Sequence, residues 1–425
     1  MTADTIYALS SGSPPAAIAI VRISGPRAAA ALEALAGIPP EPRMAALRSL
    51  RSDGEMLDRA LILFFPSPAS ATGEDVAELH LHGGRAVVGA VLASLARIEG
   101  LRAAEPGEFT RRAFANGRID LAEAEGLADL LEAETDGQRR AALALAGGLL
   151  SRRIEDWQGR LLLVSARLEA MLDFSDEGEV GDVMPSGWSD GLTELAAEMR
   201  SLLAGPPVER LRDGVRVVVA GPPNSGKSSL LNILAGREAA IISAIAGTTR
   251  DLIEAPTRIG GTPFLLVDTA GLRETGDEIE GIGVARARAT IDAADLILWL
   301  GPPADCPDPA RAILVQSKSD IVPPDPAADI RVSAETGEGM GALVALLIAR
   351  ARALLPGEGA LSLNARHRAA VAAALDALDE AGSATDFLIA AESLRQARQA
   401  LDRVTGRAGV EAMLDALFGR FCIGK

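Results

Sequence analysis

Residues 221–228 have the residue types and the spacing needed to hold a nucleoside triphosphate. They read Gly-Pro-Pro-Asn-Ser-Gly-Lys-Ser, which matches the pattern G-x-x-x-x-G-K-S. In such a loop the backbone N–H groups and the N-terminus of the next helix face the phosphates. Lys227 would reach the β- and γ-phosphates, and Ser228 would hold Mg²⁺. An ordinary glycine-rich turn is the alternative, but the apolar run before the motif and the helical pattern after it favour a phosphate loop.

Two later segments have residues that phosphate-loop proteins use to respond to the γ-phosphate. Residues 247–251 read Gly-Thr-Thr-Arg-Asp, and a threonine there can complete the Mg²⁺ shell. Residues 268–271 read Asp-Thr-Ala-Gly after an apolar run. Asp268 can accept a hydrogen bond from a water molecule that is bound to Mg²⁺, and the N–H of Gly271 can donate a hydrogen bond to the γ-phosphate. A loop held only by that phosphate relaxes when the phosphate leaves, which predicts a switch.

A second pair of segments has residues suited to guanine. Residues 317–320 read Ser-Lys-Ser-Asp after a buried strand pattern, and Ser333 and Ala334 follow a further short strand. Asp320 can accept hydrogen bonds from the N1–H and the exocyclic amine of guanine, which adenine cannot supply. Each segment alone is weak evidence, but together their order and spacing favour GTP over ATP.

This part of the chain resembles the Era-like branch of the translation-factor class of GTPases. That branch usually has Asn where Ser317 stands, so we predict weaker nucleotide affinity with guanine specificity kept. Leu272 occupies the position where signalling GTPases carry a glutamine that orients water, so catalysis must come from another group. The candidates are Glu278, Glu280, and a cation held near Asn224.

Composition limits the remaining possibilities. At 425 residues the chain is expected to form two or three domains. A net charge of −16 argues against a protein that binds nucleic acid over its whole surface. Cys306 and Cys422 are the only cysteines, which predicts neither a disulfide framework nor a cysteine metal cluster. The sequence shows neither a run of about 18 apolar residues nor a leader pattern, which predicts a soluble, cytoplasmic protein.

Periodicity predicts an N-terminal α+β domain followed by helices on both sides of the nucleotide domain. Strand patterns cover residues 17–23, 61–65 and 76–82, and helical patterns return from residue 121 and again after residue 356. One helical domain with an inserted nucleotide domain accounts for this order. His80 and His82 share one strand face, but two histidines without a third ligand type favour a surface or interface pair over a metal site.

Three segments outside the nucleotide domain indicate which GTPase family the chain resembles. Residues 421–425 read Phe-Cys-Ile-Gly-Lys, residues 72–75 read Thr-Gly-Glu-Asp, and residues 106–114 read Pro-Gly-Glu-Phe-Thr-Arg-Arg-Ala-Phe. With the switch at 247–251, the whole chain resembles the bacterial tRNA modification GTPase family called MnmE or TrmE. The resemblance implies residues 1–118 as an α+β dimerisation and folate-binding domain, 119–212 and 353–425 as two parts of a helical domain, and 213–352 as an inserted α/β GTPase domain with a mostly parallel sheet.

The resemblance also implies an activity and partners. Members of the family work with a flavoprotein, MnmG or GidA, to add an aminomethyl or carboxymethylaminomethyl group at C5 of the wobble uridine of certain tRNAs. They form homodimers and bind 5-formyltetrahydrofolate or a related one-carbon folate. Hydrolysis of GTP requires Mg²⁺, K⁺ and transient pairing of two nucleotide domains. Potassium there supplies the positive charge that an arginine finger supplies elsewhere.

The family match assigns roles to individual positions of this sequence. Glu280 is the implied catalytic residue, which positions the attacking water through a second water. Ser228 and Thr249 are the implied Mg²⁺ ligands, and the K⁺ ligands are Asn224, Ser243, Ile245 and Thr248. The folate positions are Arg22, Glu78, Arg118 and Lys425. The full GTP-binding set is Asn224, Ser225, Gly226, Lys227, Ser228, Ser229, Ser243, Ala244, Ile245, Ala246, Gly247, Thr248, Thr249, Asp268, Thr269, Ala270, Gly271, Ser317, Lys318, Asp320, Ser333 and Ala334.

Several alternatives stay open at this point. Arg22 could be a solvated residue at a strand end, and Glu280 could be one of several exposed acids. Cys422 could be a nucleophile near the folate or a small buried side chain, and we leave it out of the catalytic set. At the level of the whole protein, a GTP switch that docks on the ribosome is the main rival, and an ATPase is disfavoured by Asp320.

Overall fold

The computed structural model describes residues 4–175, 190–236, 254–268, 288–357, 361–407 and 411–424. The chain divides into two compact units, one formed by Met1–Ala128 with Asp402–Lys425 and the other by Asp129–Leu401. None of the helices in the described ranges has the length and apolar character that a bilayer span needs. The predicted domain limits at residues 118, 212 and 352 stay a prediction.

The secondary structure mixes helices with two sheets. The strands are β1 (Thr5–Leu9), β2 (Ile18–Ser24), β3 (Ala46–Ser52), β4 (Glu55–Phe65), β5 (Val76–His82), β6 (Leu101–Ala103), β7 (Val215–Ala220), β8 (Glu254–Ile259), β9 (Thr262–Asp268), β10 (Leu296–Trp299), β11 (Ala312–Gln316) and β12 (Ile330–Arg331). The helices are α1 (Ala28–Ala36), α2 (Arg85–Ala96), α3 (Glu108–Ala115), α4 (Leu121–Glu132), α5 (Asp136–Ala146), α6 (Leu149–Ser175), α7 (Asp190–Ala204), α8 (Glu209–Arg212), α9 (Lys227–Gly236), α10 (Met340–Arg352), α11 (Ala365–Ser383), α12 (Phe387–Thr405) and α13 (Glu411–Phe418).

The first unit is built on a six-stranded sheet of order β3-β4-β5-β2-β1-β6. Its strand pairs are antiparallel, except that β1 and β6 run parallel. Strand alternation decides which side chains are buried. Ala19, Val21 and Ile23 of β2 join a core with residues of α1 and α2. The other face carries Arg22 of β2 and, near β1, a small apolar cluster that includes Phe109 of α3.

The C-terminal segment packs against this same unit. Phe418 and Phe421 join a core with Leu121. The chain approaches so closely that a Cβ on Gly107, whose φ is +68°, would lie 2.2 Å from the carbonyl oxygen of Phe418. A Cβ on Gly424 would likewise lie 2.2 Å from the carbonyl oxygen of Leu9. The end of the chain therefore lies beside β1, next to the strand that carries Arg22.

Charged side chains fix the start of α3, which follows Gly107. Glu108 accepts hydrogen bonds from Arg102 Nη1 at 2.8 Å and from the N–H of Glu105 at 2.8 Å. Arg112, one helical turn later, donates to Asp4 Oδ1 at 3.0 Å. Burial alone raises the pKa of Glu108, but the hydrogen bonds from Arg102 and from the backbone outweigh burial and hold this pKa below its ordinary value.

We expect Glu108→Gln to lower the local stability of α3 by about 1–3 kcal/mol at pH 7, because it removes the charge from hydrogen bonds in a mostly buried site. The folded-state pKa of Glu108 is depressed, so its stabilisation is complete above the unfolded-state pKa of about 4.3 and is lost as pH falls through the folded-state value. The deficit of the variant should therefore shrink on acidification. Hydrogen exchange of residues 108–115 measures it, with exposed Glu99→Gln as control; a deficit unchanged from pH 7 to pH 3 would contradict the account.

The second unit contains a sheet of order β12-β11-β10-β7-β9-β8. Its strands run parallel, except that β8 is antiparallel to β9. β7 is an almost continuous run of buried valines, as expected for a strand with both faces covered. Helices α9 and α10 pack on one face of the sheet. The predicted combination of an α+β part, a helical part and a mostly parallel nucleotide sheet is confirmed.

The helices of the second unit connect to the nucleotide sheet through the short helix α8. Arg210 Nε donates to Asp295 Oδ1 at 2.7 Å, just before β10. Gln138 Nε2 of α5 donates to the carbonyl oxygen of Arg212 at 3.0 Å, and Glu209 Oε1 accepts from the N–H of Ala365 at 2.6 Å. Three hydrogen bonds thus join α8 to α5, to α11 and to the sheet.

Candidate functional site

The phosphate-loop motif lies where it was predicted, between β7 and α9. Gly221 follows the last residue of β7, and Lys227 is the first residue of α9. Asn224, in the middle of the loop, has φ of +60°, a left-handed conformation that asparagine adopts more readily than most residues. The strand therefore delivers the loop to the N-terminus of a helix, the geometry in which backbone N–H groups can face an anion.

The two side chains at the end of the motif are held in place by short contacts. Lys227 Nζ donates to the carbonyl oxygens of Gly221 at 3.1 Å and Pro222 at 2.8 Å. Ser228 Oγ donates to Oδ2 of Asp268 at 3.0 Å, and Asp268 is buried at the end of β9. The structure thus brings together a cation, a hydroxyl and a carboxylate from two neighbouring strand ends, a set that fits triphosphate oxygens and a hard divalent cation.

One side chain of the loop gives a further indication of fit. Ser225 Oγ is buried and has no hydrogen-bond partner among the described residues. A buried hydroxyl without a partner is uncommon in folded proteins and calls for a specific explanation. Its position inside the phosphate loop is consistent with a bound polar group as the missing partner.

The predicted guanine loop contacts the phosphate loop directly. Ser317 Oγ donates to the carbonyl oxygen of Ser225 at 2.6 Å, and Lys318 Nζ donates to the carbonyl oxygen of Asn224 at 2.9 Å. Lys318 has φ of +56°. The shorter side chain of Ser317 therefore still reaches the phosphate loop.

Ser333 and Ala334 lie beside the predicted guanine loop, residues 317–320. The N–H of Ser319 donates to the carbonyl oxygen of Val332 at 3.0 Å, and its hydroxyl donates to Glu338 Oε2 at 2.8 Å. The N–H of Ser333 bonds in turn to the carbonyl oxygen of Glu338. These bonds place the two predicted base-binding segments next to each other. Asp320, at the end of the first segment, is exposed.

We expect Ser317→Ala to weaken binding of GTP and GDP about three- to tenfold, because one hydrogen bond between the two loops is lost. The preference for GTP over ATP should stay unchanged, since Asp320 is untouched. Competition with a fluorescent GDP analogue measures both quantities. Ser317→Asn is the matched comparison and should bind at least as tightly as the parent protein. Equal affinity of the Ser317→Ala variant and the parent would show that the contact between the loops does not matter for binding.

In the first unit the structure brings together two of the four folate positions. Arg22 donates to Glu78 Oε1 from Nε at 3.0 Å and from Nη2 at 2.9 Å. The guanidinium also lies 5.9 Å from the centre of the Phe109 ring. Among the described residues no hydrogen bond joins Arg118 to either partner; its side chain lies near Gly73. Both histidines noted in the sequence contact carboxylates, His80 with Glu78 at 3.2 Å and His82 with Asp58 at 2.7 Å.

Sequence reasoning missed a buried polar network beside the Arg22 pair. Ser24 Oγ lies 2.7 Å from Thr72 Oγ1 and donates to Glu74 Oε2 at 2.8 Å. Arg112 Nη1 donates to the same carboxylate oxygen at 2.9 Å. This network joins the Thr-Gly-Glu-Asp segment to the Pro-Gly-Glu-Phe-Thr segment. The available signal was Ser24, the last residue of the mostly apolar strand β2, because a buried hydroxyl requires partners.

Several predicted residues lie outside the described ranges, and the structure does not place them. They are Ser243, Ala244, Ile245, Ala246, Gly247, Thr248, Thr249, Thr269, Ala270, Gly271, Leu272, Glu278, Glu280 and Lys425.

Comparisons with known proteins match the chain along almost its whole length. A model described as "GTP-binding protein TrmE N-terminus" matches residues 5–118, and a model described as "MnmE helical domain" matches residues 121–422. A protein of Rhizorhabdus wittichii named tRNA modification GTPase MnmE is 60% identical, covering 99% of this chain and 97% of its own length. The proteins of the same name from Erythrobacter litoralis and Novosphingobium aromaticivorans are 58% and 54% identical, each matching 99% of this chain and 100% of its own length.

Proposed function

The chain belongs to the MnmE family of tRNA modification GTPases, and from this premise we propose a specific activity. The protein hydrolyses GTP in a K⁺-dependent reaction and, with a flavoprotein of the MnmG/GidA kind, adds an aminomethyl or carboxymethylaminomethyl group at C5 of the wobble uridine of certain tRNAs in the cytoplasm. The observation that carries the GTPase part is the direct connection between the phosphate loop and the guanine loop through Ser317 and Lys318.

Within this proposal each described side chain has a defined task. Lys227 exchanges its two carbonyl partners for the β- and γ-phosphate oxygens. Ser228, already hydrogen-bonded to Asp268, would hold Mg²⁺ together with Thr249, and Asp268 would orient a water of the metal. Asp320 accepts the two N–H donors of guanine. Bound Mg²⁺ would supply charge neutralisation at the phosphates.

The catalytic positions are proposed from the resemblance to the family. Asn224, Ser243, Ile245 and Thr248 would surround K⁺, the middle two through main-chain oxygens. The left-handed backbone at Asn224 is compatible with a cation ligand in the phosphate loop. Glu280 would orient the attacking water, a task that Leu272 cannot perform.

For the first unit we propose a folate site and a homodimer interface. Arg22 and Glu78, with Arg118 and Lys425, would bind 5-formyltetrahydrofolate or a related folate. The close approach of Gly424 to Leu9 supports the participation of the chain end. A row of side chains from four neighbouring strands, Leu47, Leu61, His80 and Ile20, lies on one sheet face, with both leucines exposed. Exposed apolar side chains grouped in this way are typical of an interaction surface.

Steady-state GTP hydrolysis in KCl against NaCl, at equal ionic strength and over a range of protein concentrations, tests the proposed mechanism. We expect activity that requires KCl and rises per molecule with concentration, because paired nucleotide domains and a bound K⁺ act together. Equal, slow rates in both salts at all concentrations would contradict the K⁺ mechanism and favour a simple GTP switch.

A further inference from the structure

The second unit contains a cavity that the proposed nucleotide chemistry does not use. It has a volume of about 210 Å³ and lies between α5, α8 and the hairpin formed by β8 and β9. Buried apolar side chains line it, among them Ala142, Leu145, Leu211 and Phe264. A cavity of about 150 Å³ is enough to hold benzene, so this one has room for a ring with a short polar chain.

The walls of the cavity are fixed by hydrogen bonds between the helices and the sheet. Gln138 Nε2 donates to the carbonyl oxygen of Arg212 at 3.0 Å, which joins α5 to α8. Arg258 Nη1 of β8 donates to the carbonyl oxygen of Glu134 at 2.8 Å, which joins the hairpin to the segment before α5. The cavity is therefore formed in advance of any ligand, as is usual for small-molecule sites.

One hydroxyl of the lining lacks a partner. Thr257 Oγ1 is buried and makes no hydrogen bond to any described residue. Thr257 lies directly opposite Phe264 in the register of β8 and β9. Leaving a buried hydroxyl unsatisfied destabilises the protein, and a polar atom of a ligand would remove that cost.

The charged residues of the lining are mostly acidic. Asp129, Glu132 and Glu134 line the cavity, and both glutamates are exposed, which places carboxylates on its solvent side. Arg212, the one arginine among the described residues of the lining, donates to Asp213 from Nε at 2.7 Å and from Nη2 at 3.1 Å. An ammonium group is therefore favoured over a carboxylate or a phosphate.

From these features the geometry points to a binding site for a small amphipathic amine. The hydrocarbon body would occupy the apolar floor, the ammonium group would face the carboxylates of Glu132 and Glu134, and Thr257 would bond to a polar atom of the ligand. Residues of α5, α8 and the β8–β9 hairpin all contribute to the walls. A bound amine would therefore contact both the helices and the nucleotide sheet and stabilise their packing. The inference does not depend on which nucleotide the phosphate loop binds.

The test uses 2-phenylethylamine as the probe, titrated into the full-length protein and followed by ligand-observed NMR. 2-Phenylethanol and 3-phenylpropanoate are the neutral and anionic comparisons of similar shape. We expect saturable binding of the amine, at least about fivefold weaker binding of the alcohol, and none of the carboxylate. Absence of saturable amine binding, or equal binding of the amine and the alcohol, would overturn the inference.

Variants of the lining locate the binding. The double change Glu132→Gln with Glu134→Gln should weaken amine binding about three- to tenfold, while Glu155→Gln, an exposed control on α6, should leave it unchanged. Ala141→Phe, which fills the cavity, should abolish binding at an unchanged melting temperature. Thr257→Val should weaken binding and raise the melting temperature of the free protein, because it removes the unsatisfied hydroxyl. Unweakened binding in the Glu132/Glu134 double variant and in Thr257→Val would place the amine elsewhere and contradict the proposal.

Discussion

Replacing Lys227 by alanine is expected to lower the GTP turnover number about 10²–10³-fold. A preorganised donor aimed at the site where charge develops in the transition state contributes an effect of this size. Lys227 is the first residue of α9, and its ammonium group lies within 3.1 Å of two carbonyl oxygens of the phosphate loop. The side chain is half-buried, so its loss should leave the fold intact.

Phosphate release at saturating GTP measures the effect, with circular dichroism as the check on folding. Lys227→Arg is the matched control because it keeps the positive charge but replaces a compact ammonium by a planar fork. We expect Lys227→Arg to hydrolyse GTP much more slowly than the parent protein as well. That result would show that the position of the charged group matters in addition to its charge. A folded Lys227→Ala variant with turnover within about threefold of the parent would contradict the assigned role.

Asp320→Asn is expected to weaken GTP binding about 10²–10⁴-fold and to strengthen binding of xanthosine triphosphate. In the proposed function the carboxylate accepts two hydrogen bonds from guanine, and each hydrogen bond to a charged group contributes about 1.5–3 kcal/mol. Their joint loss corresponds to the stated range of affinity. The asparagine amide instead donates to the C2 carbonyl of xanthine, so the preference for the base should reverse.

Competition binding with GTP, ATP and xanthosine triphosphate checks this reversal. Glu335→Gln removes one negative charge from the neighbouring exposed loop and serves as the control for charge alone. If that control weakened GTP binding as strongly as Asp320→Asn, the effect would be electrostatic and Asp320 would not read the base.

The sequence predicted the parts of the site that short motifs determine. The phosphate loop and its flanking elements agree with the structure because the glycines, the lysine and the apolar strand are local features of residues 215–234. The proximity of Ser317 to the phosphate loop could be expected too, since parallel strands deliver their carboxyl ends to one edge of a sheet.

Contacts between segments far apart in the chain could not be predicted from the sequence. The bond of Arg112 to Glu74 and the approach of Gly107 to Phe418 join segments far apart in the chain, and no periodicity identifies such partners. Strands β1, β3 and β6 were also missed; β3 is largely exposed and β6 has only three residues, so neither gives a strong pattern of burial. The cavity beside Thr257 is lined by residues of α4, α5, α8 and the β8–β9 hairpin, which are far apart in the chain, and no local motif predicts it.

The most direct test of the central claim is the nucleoside content of tRNA. Total tRNA is isolated from cells that lack the gene and carry either the parent protein or Lys227→Ala at equal abundance, and modified uridines are quantified by mass spectrometry. We expect the aminomethyl-type modification of the wobble uridine to be present with the parent protein and absent with Lys227→Ala, because in the proposed function GTP hydrolysis drives the modification. Equal modification with both proteins, while Lys227→Ala is inactive as a GTPase, would contradict it.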